Sequence, residues 1–386
     1  MSTLRGRAKR VQVLILSACE PDALFRKRTH FSFLLGLFYL CPFCLACEWI
    51  IMRLPWNTFW QALHRGILFY ILKYLFLGGK ILENNMPAFK CHFCPVCDGN
   101  GCTGEMPGMG GVYNNGNFIA NCQGWAECRK ADPSLLSRFL DNNSFEPKIR
   151  LAPMTGAVEN IGFEDEQSYY YTMLFSAYKA GLGLCIGDGT PDLKLQAGIG
   201  AVKWIQKQDE KVKASVFIKP YDNERILERI SWADSVADSI GIDIDSYNIV
   251  TMRNLVKLEK KTVSQLLEIK KALHVPFIIK GVFTEDDIAL VKEVRPDVVY
   301  ISNHGGRIET RTGSTAEFLQ SHAKELRNYC ASLWVDGGIR TAEDVATAIA
   351  LGAEEVAVGR PMATALCSGG TQAVCDCAQA LRTLQA

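Results

Sequence analysis

From Lys148 onward the chain repeats one pattern eight times, a short β-branched run followed by a polar or helical stretch. The runs are Ile149–Met154, Leu182–Gly187, Ala214–Lys219, Ile242–Asp245, Phe277–Lys280, Val298–Ser302, Leu333–Asp336 and Val356–Gly359. Helical periodicity fills Asp165–Ala180, Asn223–Ser239, Val263–Leu273, Glu285–Val294 and Ala342–Leu351 between them. Strands joined by helices run parallel, and near-continuous apolar strands fit a sheet covered on both faces. Eight such units in series are the number that closes on itself. The expected class is therefore α/β, a (β/α)8 TIM barrel over residues 148–386.

Barrels of this kind place their chemistry at the C-terminal strand ends. Here those ends carry Asp245, Lys280, His304, Asp336 and Arg360. One such residue is an ordinary surface charge; five are more than a structural role easily gives. The densest stretch is Val298–Arg307 (VVYISNHGGR), a strand that stops at a glycine-rich loop. His304 and Arg307 stand three residues apart there. An imidazole is a proton acceptor near neutral pH, and a guanidinium is a planar fork for a carboxylate.

Strands seven and eight carry a separate signal. Trp334–Arg340 (WVDGGIR) and Val358–Met362 (VGRPM) are glycine-rich turns leading into helices. Backbone N–H groups at such turns bind phosphate, and Arg340 and Arg360 supply charge. A phosphorylated cofactor or substrate is expected there.

The 147 residues before the barrel divide in two. Residues 1–85 carry 11 Lys/Arg against 4 Asp/Glu, whereas residues 86–386 carry 31 against 37. The acidic body argues against nucleic acid as a partner. Phe31–Met52 is apolar enough to span a bilayer, and Leu63–Leu77 is more amphipathic. Residues 1–85 thus read as a hydrophobic, basic extension, either a membrane anchor or a start placed too far upstream. The expected location is cytoplasmic, or associated with the inner membrane through residues 31–77. Residues 86–147 read as a Cys/Gly-rich cap. Fifteen cysteines do not resemble a secreted disulfide framework, which belongs to short chains. Cys91, Cys94, Cys97 and Cys102 have spacings that allow zinc or an iron–sulfur cluster; buried free thiols in a loop cap are the plainer reading.

Four ordered motifs, Ile278–Val282 (IIKGV), Ile301–Arg307 (ISNHGGR), Val335–Arg340 (VDGGIR) and Val358–Pro361 (VGRP), resemble the FMN-dependent α-hydroxy acid dehydrogenase/oxidase family. Glycolate oxidase and L-lactate oxidase are members. The resemblance is strong over residues 270–365, weaker over 148–260 and absent over 1–85. It implies FMN as cofactor, with oxidation of a 2-hydroxy acid such as lactate to the 2-keto acid. It implies that His304 is the base, Arg307 the carboxylate clamp and Lys280 the cation beside the flavin N1 and O2. Asp245 is similar to the carboxylate that pairs with the base. Ala152, Pro153, Met154, Thr155, Ser302, Asp336, Gly338, Arg340, Gly359 and Arg360 look like further cofactor contacts. Arg253 lies near the place of a second substrate arginine. The electron acceptor is oxygen or a quinone, and a homotetramer is the expected assembly.

This chain departs from the family on strand three, where Gln and Tyr are usual and Phe217 and Lys219 stand. Lys219 in the pocket suits a more anionic or larger substrate. Two other functions compete. One is an FMN-dependent isomerase of the type 2 isopentenyl diphosphate isomerase kind, for which a carboxylate clamp has no purpose. The other is a non-catalytic flavin-binding barrel, against which the intact polar strand ends speak.

Overall fold

The computed structural model describes residues 116–384, apart from 143–144, 159–162, 164, 250–254 and 309. The hydrophobic extension, the cysteine cluster at 91–102 and Arg253 lie outside the described residues. No described helix is long and apolar enough to cross a membrane.

Eight parallel strands form the sheet: β1 Lys148–Leu151, β2 Leu184–Gly187, β3 Ala214–Ile218, β4 Ala237–Asp243, β5 Phe277–Val282, β6 Val298–Ile301, β7 Ser332–Val335 and β8 Glu355–Val358. Their order is β1-β8-β7-β6-β5-β4-β3-β2. Leu151 N donates to Gly183 O at 2.9 Å and Gly183 N to Ile149 O at 3.0 Å, which joins β1 to β2 and closes the circle. A side chain at Gly183 would lie 2.7 Å from Arg150 Cγ, so the closure uses a glycine.

Among the described residues, helix α1 (Gly116–Ala131) and the short α2 (Ser137–Asn142) precede the barrel. Each strand is then followed by a helix: α3 Glu166–Lys179, α4 Leu193–Gln206, α5 Asn223–Ala233, α6 Val263–Ala272, α7 Glu285–Val294, α8 Thr315–Leu326, α9 Ala342–Ala350 and α10 Arg360–Ala380. Thr262, Thr284, Ser314 and Thr341 cap α6 to α9 with full capping boxes. Each reciprocal cap satisfies two backbone donors that the helix itself leaves unpaired.

The sequence expectation differs from the structure at the α5–β4 junction. Helical periodicity runs on to Ser239, but α5 ends at Ala233 and β4 already begins at Ala237. Pairing wins over local pattern here: Ile240 aligns with Phe277 and Asp243 with Lys280. As a result β4 ends at Asp243, not at Asp245, which belongs to the following turn.

Two hydrophobic layers follow from the period of two along each strand. One packs strands against helices. The other fills the barrel with Ala152, Cys185, Phe217, Ile278, Tyr300, Trp334 and Ala357. Phe217 sits edge-on to Tyr300, and Tyr300 to Trp334. A Cβ at Gly241 would meet the Phe217 ring at 2.5 Å, so the glycine on β4 makes room for the aromatic ring on β3. Stepping two residues further along β3, β4, β5 and β7 gives Lys219, Asp243, Lys280 and Asp336. The apolar filling thus ends in a charged layer at the barrel mouth.

Candidate active site

A cavity of about 300 Å³ opens at that mouth, at the small end of the usual range for ligand sites. Its walls include Ala152, Pro153, Met154 and Thr155 after β1, and Lys219 and Lys280 from β3 and β5. His304 and Arg307 come from the loop after β6, Asp336, Gly338 and Arg340 from that after β7, and Gly359 and Arg360 from that after β8. Residues selected from six separate strand ends therefore share one cavity. Ser302 does not reach its wall: it is fully buried, and its Oγ accepts from His304 N at 3.1 Å. Thr190, Lys194, Ile249 and Leu255 line the cavity without any sequence signal that marked them.

The loop that presents His304 is tightly specified. His304, Gly305 and Gly306 all have positive φ, at 56°, 63° and 87°. The left-handed region is costly for a residue with a side chain, so the surroundings must hold His304 there. Asn303 Oδ1 accepts from Gly306 N at 2.9 Å, and Asp245 Oδ2 lies 2.8 Å from His304 Nδ1. The space for Asp245 exists because residue 281 is glycine; a Cβ there would lie 2.4 Å from the carboxylate.

Helix α1 supports this loop from outside. Asn121 Nδ2 donates to Asn303 Oδ1 at 2.8 Å and Asn303 Nδ2 returns to Asn121 Oδ1 at 3.2 Å. Trp125 is fully buried and donates to Gly337 O at 2.8 Å. Arg311, four residues beyond Arg307, forms a two-pronged buried ion pair with Asp287 at 2.7 and 3.2 Å. It also donates to Gly281 O, which ties this loop to the end of β5. Arg311→Met leaves the Asp287 carboxylate without its cation and is expected to destabilise the fold by about 3 kcal/mol. Thermal melts check this; a melting temperature unchanged to within about 1 °C would show that the pair contributes nothing net.

Asp243 is the functional residue that sequence reasoning missed. Its carboxylate meets Lys219 Nζ at 2.7 Å and Lys280 Nζ at 2.9 Å, and lies 3.6 Å from His304 Nε2. Lys219 Nζ is itself 3.2 Å from His304 Nε2. Burial alone would push the Asp243 carboxyl up, but the Lys219 and Lys280 ammoniums and His304 together hold it well below the carboxylate range. The Asp245 carboxyl is held low against burial chiefly by His304. Burial opposes the charge on Lys280, yet Asp243 beside it raises its pKa. Burial pushes the Asp336 carboxyl up. The Lys219 ammonium is therefore paired with Asp243, a carboxylate that Lys280 also meets. Asp243, Asp245 and His304 lie close enough to share a metal ion, but two ammoniums already compensate these carboxylates.

The phosphate half of the cavity fits FMN in its donor chemistry. Gly359, at the start of α10, offers no side-chain cap to that helix, and Gly359 and Arg360 both line the cavity. Gly337 and Gly338, at φ 99° and 75°, open the turn after β7. Asp336 Oδ1 has no well-formed hydrogen bond, which leaves a buried acceptor for a hydroxyl. Arg360 stacks over Phe118 of α1 at 4.1 Å.

Residues 206–384 match the family described as FMN-dependent dehydrogenase. Among curated relatives, a 2-hydroxyacid oxidase from Dictyostelium discoideum is 36% identical over 113 residues, 29% of each chain. L-lactate dehydrogenase from Caulobacter vibrioides is 37% identical over 111 residues, again 29% of each. L-lactate dehydrogenase (cytochrome) from Wickerhamomyces anomalus is 36% identical over 118 residues, 30% of this chain and 21% of that one. The chain thus matches less than a third of the length of these relatives. Among solved structures, a mandelate oxidase with benzoyl-formic acid has 22% identity and a TM-score of 0.49, covering 61% of this chain and 72% of that one. Over residues 206–384, the chain is similar to the FMN-dependent dehydrogenase family.

Proposed function

We propose that the protein is an FMN-dependent enzyme that oxidises a 2-hydroxy acid, lactate-like in size, to the 2-keto acid. The observation that carries this is the pairing of His304 and Arg307 on one short loop, with Asp245 behind the imidazole at 2.8 Å. Bound FMN supplies the hydride-accepting chemistry. The glycine turns after β7 and β8, with Arg340 and Arg360, would hold its phosphate, and the buried Lys280 would supply a positive charge in the cavity wall.

The chain's own part is binding and proton handling. Arg307 holds the substrate carboxylate in a planar fork, which fixes the hydroxyl-bearing carbon. Asp245 accepts a hydrogen bond from the Nδ1–H of His304, which fixes the tautomer so that Nε2 is the acceptor. His304 Nε2 then takes the hydroxyl proton, and Asp245 and Asp243 offset the imidazolium charge that results. A carboxylate fork beside the base is what an isomerase of a diphosphate would not need. The electrons leave for oxygen or a quinone, which turnover assays with each acceptor distinguish.

The purified full chain is expected to be yellow, and anaerobic L-lactate or a near homologue to bleach it. A protein that will not take up FMN, or a yellow one that no 2-hydroxy acid bleaches, overturns the proposal.

A further inference from the structure

We propose that Lys219 and Asp243 are a paired positioning device that sets the proton affinity of His304 from its Nε2 side, with opposite signs. The inference rests on His304 being the base of the reaction proposed above.

The geometry is specific. With Nδ1–H donated to Asp245, the Nε2 lone pair must find a donor, and Lys219 Nζ at 3.2 Å supplies it. The same ammonium donates to Asp243 Oδ2 at 2.7 Å. Lys219 is held from behind as well, because its backbone N–H donates to Asp188 at 3.2 Å, and Asp188 is in a fully buried ion pair with Arg229. Lys219 and Asp243 are therefore fixed groups on adjacent strands, not mobile surface charges.

Their effects on the imidazole oppose each other. The ammonium repels a proton arriving at Nε2, and the Asp243 carboxylate, 3.6 Å away, attracts it. Among the described residues, the other charges facing His304 are Asp245 on the Nδ1 side, Lys280 from β5, Asp336 from β7 and Arg307 on its own loop. Arg360 reaches in from α10 to Gly305 O. Helix α1 presents Asn117, Phe118 and Asn121 to this loop, none of them ionisable. Among the described residues, Lys219 at 3.2 Å and Asp243 at 3.6 Å are the charged groups within ion-pairing distance of Nε2, the atom that the proposed reaction uses.

Free Nε2 is needed for proton abstraction, so activity falls on the acid side as the imidazole becomes protonated. Lys219→Met removes the repelling charge and exposes Nε2 to Asp243. The acid limb of kcat/KM should then move up by about one pH unit. Asp243→Asn removes the attracting charge and should move the limb down by about one pH unit. Lys219→Arg keeps the charge and should leave the limb in place. A merely structural role lowers activity at every pH and moves no limb.

The test is run on the full chain in two arms. One arm measures kcat/KM for L-lactate against pH in the four proteins. The other titrates the ring nitrogens of 15N-labelled histidine by NMR, with the His304 signals identified by their loss in His304→Asn. Opposite displacements in Lys219→Met and Asp243→Asn, with none in Lys219→Arg, are expected in both arms. Shifts of the same sign, or none, overturn the proposal. If Lys219→Met does not fold, Asp243→Asn still decides, since only a downward displacement agrees. If no 2-hydroxy acid is turned over but the NMR titrations still split in opposite directions, the proposed reaction fails and the control of His304 stands.

Discussion

His304→Asn is expected to lower kcat/KM for 2-hydroxy acids by about 10²- to 10⁴-fold, the range that a positioned general base supplies. Asparagine is the right replacement for a structural reason. The residue sits at φ 56°, between a polar strand end and two further positive-φ positions, and asparagine enters the left-handed region more readily than most residues. Its short amide can lie where the imidazole begins, but it cannot accept the substrate proton. The loop, the Arg307 fork and the flavin cradle should survive, so the variant should keep its yellow colour and its substrate KM while kcat falls. Stopped-flow reduction under anaerobic conditions reads this directly. Wild-type bleaching rates in His304→Asn would remove the imidazole from the chemistry, whatever the fate of the other assignments.

The second large effect is expected at the turn after β7. Gly338 has φ 75°, and a Cβ on it would lie 1.9 Å from the carbonyl oxygen of Asn121 and 2.6 Å from Cys122 N. Those are backbone atoms of α1, so no rotamer change can relieve the overlap. Gly338→Ala must either push α1 off the barrel or distort the turn after β7. Backbone strain and overpacking together predict a loss of about 3–5 kcal/mol, or about 10 °C in Tm. Gly313→Ala is the control. That glycine is also left-handed, at φ 110°, but its added Cβ meets nothing closer than 3.8 Å. It isolates backbone strain, at about 1–3 kcal/mol. Equal losses in the two variants would show that the contact with α1 adds nothing.

Much of this site was legible in the sequence because its signals are local. A strand that stops at HGGR, or a turn spelled DGGIR, carries its chemistry in consecutive residues. Asp243 was not legible for the opposite reason. Its importance comes from register: Ile218 aligns with Ile242, and Asp243 with Lys280. Sequence periodicity ended β4 two residues too late and gave Asp245 the strand-end place. Asp245 does reach the base, but from the turn, through the gap that Gly281 leaves. Phe217 shows the same limit. As a departure from the family it was visible; that Gly241 on the neighbouring strand makes its seat was not. Within residues 86–147, the loop-like composition gave no sign that Asn121 and Trp125 of α1 would find partners on Asn303 and Gly337, about 180 to 210 positions away.

That last arrangement constrains how the protein can be altered. Gly306 and Gly338 lie in different βα loops, yet both are pressed against one stretch of backbone, residues 117–122. Neither loop can be exchanged for a bulkier version while that stretch is kept. A chimera that joins this barrel to another protein's leading segment must carry residues 117–122 across with it, because the boundary drawn at Lys148 by the strand pattern cuts through the support of the site.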